Sequence, residues 1–240
     1  MKKIIFLLTV TIFSISCTVN QEVVVEQSGS GDSLISVKLH PVMTAYLSDL
    51  TAMLGDVEDP DEVKIFEPEA MEYAFSFYED MELSGVSVPS RDAMTITITF
   101  DDIGKVLASQ EEQFGQLFSF KTENGIKTIN IRVDQSVIRH VLSFSPAGKT
   151  MAESLLPPEG YAFSKEEYIE YLEWPLEEYL EGKDLGKILA ESFIHLELRV
   201  KGTIIRQAGG TVSGNLVRFR LPLLDAVTAE SPITYSITFR

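Results

Sequence analysis

"MTITITFDDIGKVLAS" (residues 94–109) compresses the architecture of this chain into sixteen letters. Ile96, Ile98 and Phe100 alternate with threonines, the pattern of a strand buried on one face and wet on the other. Asp101-Asp102 then offers a helix cap, and an apolar-periodic run follows at once. The same grammar recurs in "SLISVKLHPVMTAYLSDL" (33–50), "KTINIRVDQSVIRHVLS" (127–143) and "NLVRFRLPLLDAVTAE" (215–230). Each junction carries a starter, Pro41, Asp134 or Pro222, because Asp accepts from first-turn N–H groups and Pro fits the first helical position. The four units are unequally spaced, which is reused local grammar and not a solenoid.

Working outward, Asn124-Gly125 sits between "QLFSFKTE" and "IKTINIRV" and predicts a two-residue hairpin turn with positive φ at both positions. Residues 67–83 begin with Pro68 and place Met71, Phe75 and Tyr78 on one helical face. Ser164 and Glu167 have capping-box spacing, Pro175 interrupts the helix that follows, and Asp184 caps "LGKILAESF". From Phe193 to the end the chain alternates strongly, with turns at Gly209-Gly210 and Gly214-Asn215. Interleaved strands and helices with plain hairpins predict an α+β fold. Its sheet is mostly antiparallel, with helices packed on one face and repeated strand-then-short-helix units. One acidic domain is expected over residues 33–240, with a helical lobe around 146–191.

Composition narrows the function classes. The full chain carries a formal net charge of −16. Such a surface repels nucleic-acid phosphates and anionic headgroups, so no nucleic-acid partner is expected. With 45% hydrophobic and 10% aromatic residues it can build a core without disulfides or metal.

The first sixteen residues have the layout of a secretory signal: Lys2-Lys3, the apolar run Ile4–Phe13, then Ser14, Ile15 and Ser16. Ten apolar residues are too few for a bilayer span, which needs about 20. Removing residues 1–16 takes two of the 20 basic side chains and leaves 18 against 36 acidic ones, a net −18. "FSISC" (13–17) ends in the chain's single cysteine, which has no internal partner for a disulfide.

This leader resembles those of bacterial lipoprotein precursors, whose lipobox ends in a cysteine that becomes the mature N-terminus. Ile15, Ser16 and Cys17 match its last three positions, whereas Ser14 stands where Leu is usual. A simple signal-peptidase site is therefore the alternative. The resemblance implies thioether-linked diacylglycerol on Cys17 and usually an N-acyl chain such as palmitate. Two or more chains give stable anchoring. It also implies the bacterial cell envelope, periplasm-facing or at the cell surface, with the membrane as partner through the lipid on Cys17. Residues 17–32 follow as lipidated N-terminus and tether, within which "EVVVE" also reads as a first strand before "SGSG". The opening of the domain and its strand-rich close resemble uncharacterised spirochaetal envelope lipoproteins, a likeness that brings no activity with it.

Chemistry is harder to find. His40, His140 and His195 have no partner at ligand spacing, and "GDVEDPDEV" (55–63) lacks the glycine and ligand order of a calcium loop, so no metal or other cofactor is expected. No G-x-S-x-G elbow is present, "SGN" (213–215) has no S-x-x-K to go with it, and "SGSG" (28–31) is a link, not a phosphate loop. The distinctive candidate is "KEEYIEYLEWPLEEYLEG" (165–182), with Tyr168, Tyr171, Trp174 and Tyr179 among seven glutamates. Aromatics with acid can grip a cationic or sugar ligand or a basic protein; packed inward, they form an ordinary amphipathic helix. The expectation is an anchored, non-catalytic binding or adaptor module with an envelope protein partner. A binder of a small amphiphile or sugar is the alternative, and a hydrolase with paired carboxylates stands behind both.

Overall fold

A computed structural model describes residues 17–55, 57–114, 117–143 and 146–240. The leader expected over residues 1–16 lies outside them. The described residues open with β1 (Cys17–Val25), β2 (Gly31–Leu39) and α1 (Pro41–Gly55). After a 3-10 turn at Pro60–Glu62 come α2 (Pro68–Phe75), β3 (Met81–Ser90), β4 (Ala93–Phe100) and α3 (Ile103–Phe114). The middle is β5 (Phe118–Glu123), β6 (Ile126–Val133), α4 (Gln135–Leu142), α5 (Pro146–Leu155), α6 (Lys165–Leu180) and α7 (Leu185–Ala190). The chain closes with β7 (Phe193–Val200), β8 (Ile204–Ala208), β9 (Thr211–Ser213), β10 (Leu216–Pro222), α8 (Leu223–Thr228) and β11 (Ile233–Phe239).

The fold is α+β. All four strand-then-helix units form, as β2-α1, β4-α3, β6-α4 and β10-α8. A seven-stranded sheet runs β3-β4-β2-β1-β7-β10-β9, and a four-stranded sheet runs β5-β6-β11-β8. Among the described residues every strand pairing is antiparallel except β1 with β7. The larger sheet buries one face through Val19, Val23, Ile35, Val37, Ile96, Ile98, Leu198 and Phe219, while Asn20, Glu22, Lys38 and Arg218 on the other face meet solvent. Helices and the smaller sheet cover the buried side, and their apolar residues join one continuous core.

Local rules explain the junctions. Asp102 Oδ1 accepts from the Gly104 N–H at 2.7 Å, and Asp134 Oδ1 accepts from the Val137 N–H at 2.9 Å. Burial alone would raise the Asp134 carboxyl, but the Ser136 hydroxyl, the Val137 N–H and Arg132 together hold it below the ordinary range. Asn124 and Gly125 take φ of 52° and 76°, as the hairpin requires. Ser164 and Glu167 make both bonds of the capping box, and Asp184 caps α7.

Three expectations are corrected. Pro175 does not interrupt its helix: α6 runs through it, because Tyr168, Leu172, Leu176 and Leu180 are buried on both sides of the proline and hold one axis. The helix begun at Pro68 stops at Phe75, since Met81 and Leu83 already pair with Phe100 and Ile98 as β3. Residues 17–32 are not a tether. Cys17–Val25 pairs along its whole length with β2, and from Thr18 onward with β7, in the middle of the larger sheet. "SGSG" closes the β1-β2 hairpin: the Glu26 N–H donates to Ser30 O and the Gly29 N–H to Glu26 O, with Gly29 at φ 100°. Gln21, a polar side chain on the inward face of β1, donates to the Ser33 hydroxyl at 3.1 Å.

Candidate functional site

Aromatic and acidic residues of α6 do not converge on a ligand site. Tyr168 is 0% exposed and donates its hydroxyl to Leu155 O at 2.8 Å. Tyr171 is half-buried, stacks on Phe163 at 5.5 Å and reaches Ser154 O at 3.3 Å. Tyr179 donates to Asp49 at 2.8 Å and meets Tyr46 edge-on at 5.7 Å. Burial first, then the bonds to Asp49 and Glu178, push its phenol far above the usual tyrosine range, so it remains a donor. Only Trp174 is open, at 85% exposure. The helical period separates it from the other three: Tyr168, Tyr171 and Tyr179 dock α6 onto α5 and α1, and Trp174 stands among glutamates facing solvent.

The other sequence candidates resolve in the same structural way. Asp59 accepts from the Asp61 N–H at 2.8 Å and Asp61 pairs with Arg91 at 2.8 Å, which uses two acids of the 55–63 run. No group of three or more metal-ligating side chains occurs among the described residues. His40 accepts the Val42 N–H on Nδ1 at 3.3 Å. Burial, then Lys183, lowers its pKa below the ordinary histidine value against the opposing pull of Glu191, so it caps α1 as neutral imidazole. His195 lies on the polar face of β7 with its ring 4.9 Å from Phe193.

Two cavities bear on the remaining readings. Between the sheets, Val23, Leu198, Phe219, Ile129 and Ile237 enclose an apolar gap of about 60 Å³. An engineered cavity that admits benzene measures about 150 Å³, so this gap does not hold an amphiphile without widening. Beside β3, Glu72, Glu79, Asp80, Glu82 and Asp101 line an open cleft of about 610 Å³ with no Lys, Arg or His among its lining residues. That cleft is a solvated acidic wall.

What the fold does build is an uncovered face on the larger sheet. Cross-strand register sets its side chains in rows, counted from the Cys17 end of β1. The first row joins Ala93, Lys38, Thr18, Phe193 and Pro222. The second joins Ser87, Thr95, Ser36, Asn20, His195 and Arg220. Acids enter only beyond these, as Glu22 and Glu197 in the third row and Asp32 in the fourth. Arg220 seats its guanidinium 4.6 Å over the Phe193 ring. Its backbone carbonyl accepts the Tyr235 hydroxyl at 2.8 Å, which fixes β10 against the second sheet. Sequence inspection misses this face because Lys38, His195 and Arg220 come from three strands far apart in the chain.

No protein-family profile matches the chain, and no curated protein matches it. A solved structure resembles it in outline: the NMR structure of the folded domain of the Mycobacterium tuberculosis protein LppM. That likeness has 9% sequence identity and a TM-score of 0.43, over 94% of this chain and 90% of that one. Among the described residues no helix is long and apolar enough to cross a membrane.

Proposed function

We propose that this protein is a lipid-anchored bacterial envelope protein, held by acyl chains on Cys17, whose α+β domain acts as a non-catalytic binding or adaptor module. The observation that carries the reading is the lipobox-like stretch ending at Cys17, followed from Thr18 onward by a strand paired on both sides within the larger sheet. Two or more acyl chains supply a stable hold on the bilayer, where a surface of net −18 would otherwise be repelled. The binding role rests on the uncovered, polar face of the larger sheet, which neither helices nor the second sheet use for packing.

Metabolic labelling with an alkyne fatty acid tests the anchor. Wild-type protein is expected to take up label and stay in the membrane fraction, and Cys17→Ala to lose both. Label that survives the substitution overturns the reading.

A further inference from the structure

Cys17 enters the sheet directly, so acyl chains at that residue leave no spacer, and whatever lies beside the start of β1 lies beside the membrane. In the register, Lys38 stands opposite Thr18, His195 opposite Asn20, and Arg220 opposite His195. With strands about 4.8 Å apart and about 3.3 Å of rise per residue, all three backbones fall within roughly 15 Å of Cys17. The first two rows contain these three basic residues and no acid. Among the described residues none of the three makes an ion pair, whereas the next cation up the face, Arg218, is taken by Glu197 at 2.7 Å. Two acids border the rows: Asp92, in the β3-β4 turn, accepts the hydroxyl of Ser90, which is paired with Ala93 at the β3 edge of the first row, and Glu191, at the end of α7, neighbours His40. The glutamates of α6 belong to the helical side, behind the sheet. A chain of net −18 thus collects three basic side chains without ion-pair partners on one open surface, next to the residue read as its anchor.

Resting on the Cys17 reading, we propose that this half of the open sheet face docks on the anionic phospholipid headgroups of the same membrane, Lys38 and Arg220 contacting phosphate with Phe193 packed beneath. Thr18, Ser36, Asn20 and Thr95 supply hydrogen-bonding groups between the cations, and this end of the sheet lies down on the bilayer instead of standing off it. Headgroup attraction of this kind amounts to about fivefold in binding per Lys or Arg near the surface and fades within a Debye length.

The test uses acylated protein in vesicles of phosphatidylcholine alone or with about one third phosphatidylglycerol, both containing brominated lipid. A reporter is placed in the second row by Thr95→Trp, with Trp174→Phe removing the native indole. The reporter is expected to be quenched at least twofold more with phosphatidylglycerol than without it, and the difference to disappear in Lys38→Glu/Arg220→Glu. Lys201→Glu/Arg206→Glu makes the same charge change elsewhere and should retain it. Protein that co-floats with both vesicles but shows no dependence on composition, or a Lys38/Arg220 variant quenched like its parent, overturns the docking alone. Failure to co-float with either vesicle overturns the anchor reading and the docking with it.

Discussion

Replacing Tyr168 by alanine is expected to destabilise the domain by about 4 kcal/mol, the cost of emptying a large aromatic site in a packed core. Its ring is fully buried, Leu172 and Leu176 flank it one and two turns along α6, and its hydroxyl is bonded to Leu155 O. Tyr168→Phe isolates that bond and should cost about 1 kcal/mol. Trp174→Ala, six residues on, should stay within about 0.5 kcal/mol because the indole packs against little. Urea unfolding of the three variants checks the ordering. A Tyr168→Ala midpoint close to wild type would return Tyr168 to the surface as a binding residue.

Gly31→Ala should cost about 3 kcal/mol, a large effect for a single methyl group. A Cβ built at Gly31 would sit 1.8 Å from the Val24 carbonyl oxygen and 2.9 Å from the Phe100 ring, so either β1 or β4 must move. Gly31 pairs with Val25 on one side and Phe100 on the other, which leaves no slack in the register. Ser28→Ala, in the exposed turn of the same hairpin, should be close to neutral. Thermal unfolding distinguishes a hairpin from a tether here. In a flexible link the glycine substitution would be harmless, and a Gly31→Ala melting temperature equal to that of Ser28→Ala would contradict the strand.

Much of the fold was legible because its signals are local. A Thr-Ile alternation, an Asp at a strand end, Asn124-Gly125 and the Ser164–Glu167 box each specify a few residues of backbone, and the structure adopts every one. What the sequence hides is non-local. The place of β1 depends on a parallel pairing with β7, more than 170 residues away, and Gln21 breaks its apolar alternation until Ser33 is seen bonded to it. The tyrosines of α6 resemble a binding stripe in one dimension, yet helical rotation turns them into the core and leaves Trp174 outside. The basic patch was equally invisible. Lys38, His195 and Arg220 are unremarkable residues in three distant segments of an acidic chain, and only the sheet order brings them together beside Cys17.

An anchored domain without a tether is the claim on which the rest depends, and neutron reflectometry of the acylated protein on a supported bilayer measures it directly. Protein density should begin at the headgroups, with no resolvable water layer between them and the domain. Were residues 17–32 extended, at about 3.3 Å per residue they could hold the domain up to about 50 Å away. A solvent gap of about 20 Å or more would contradict the account.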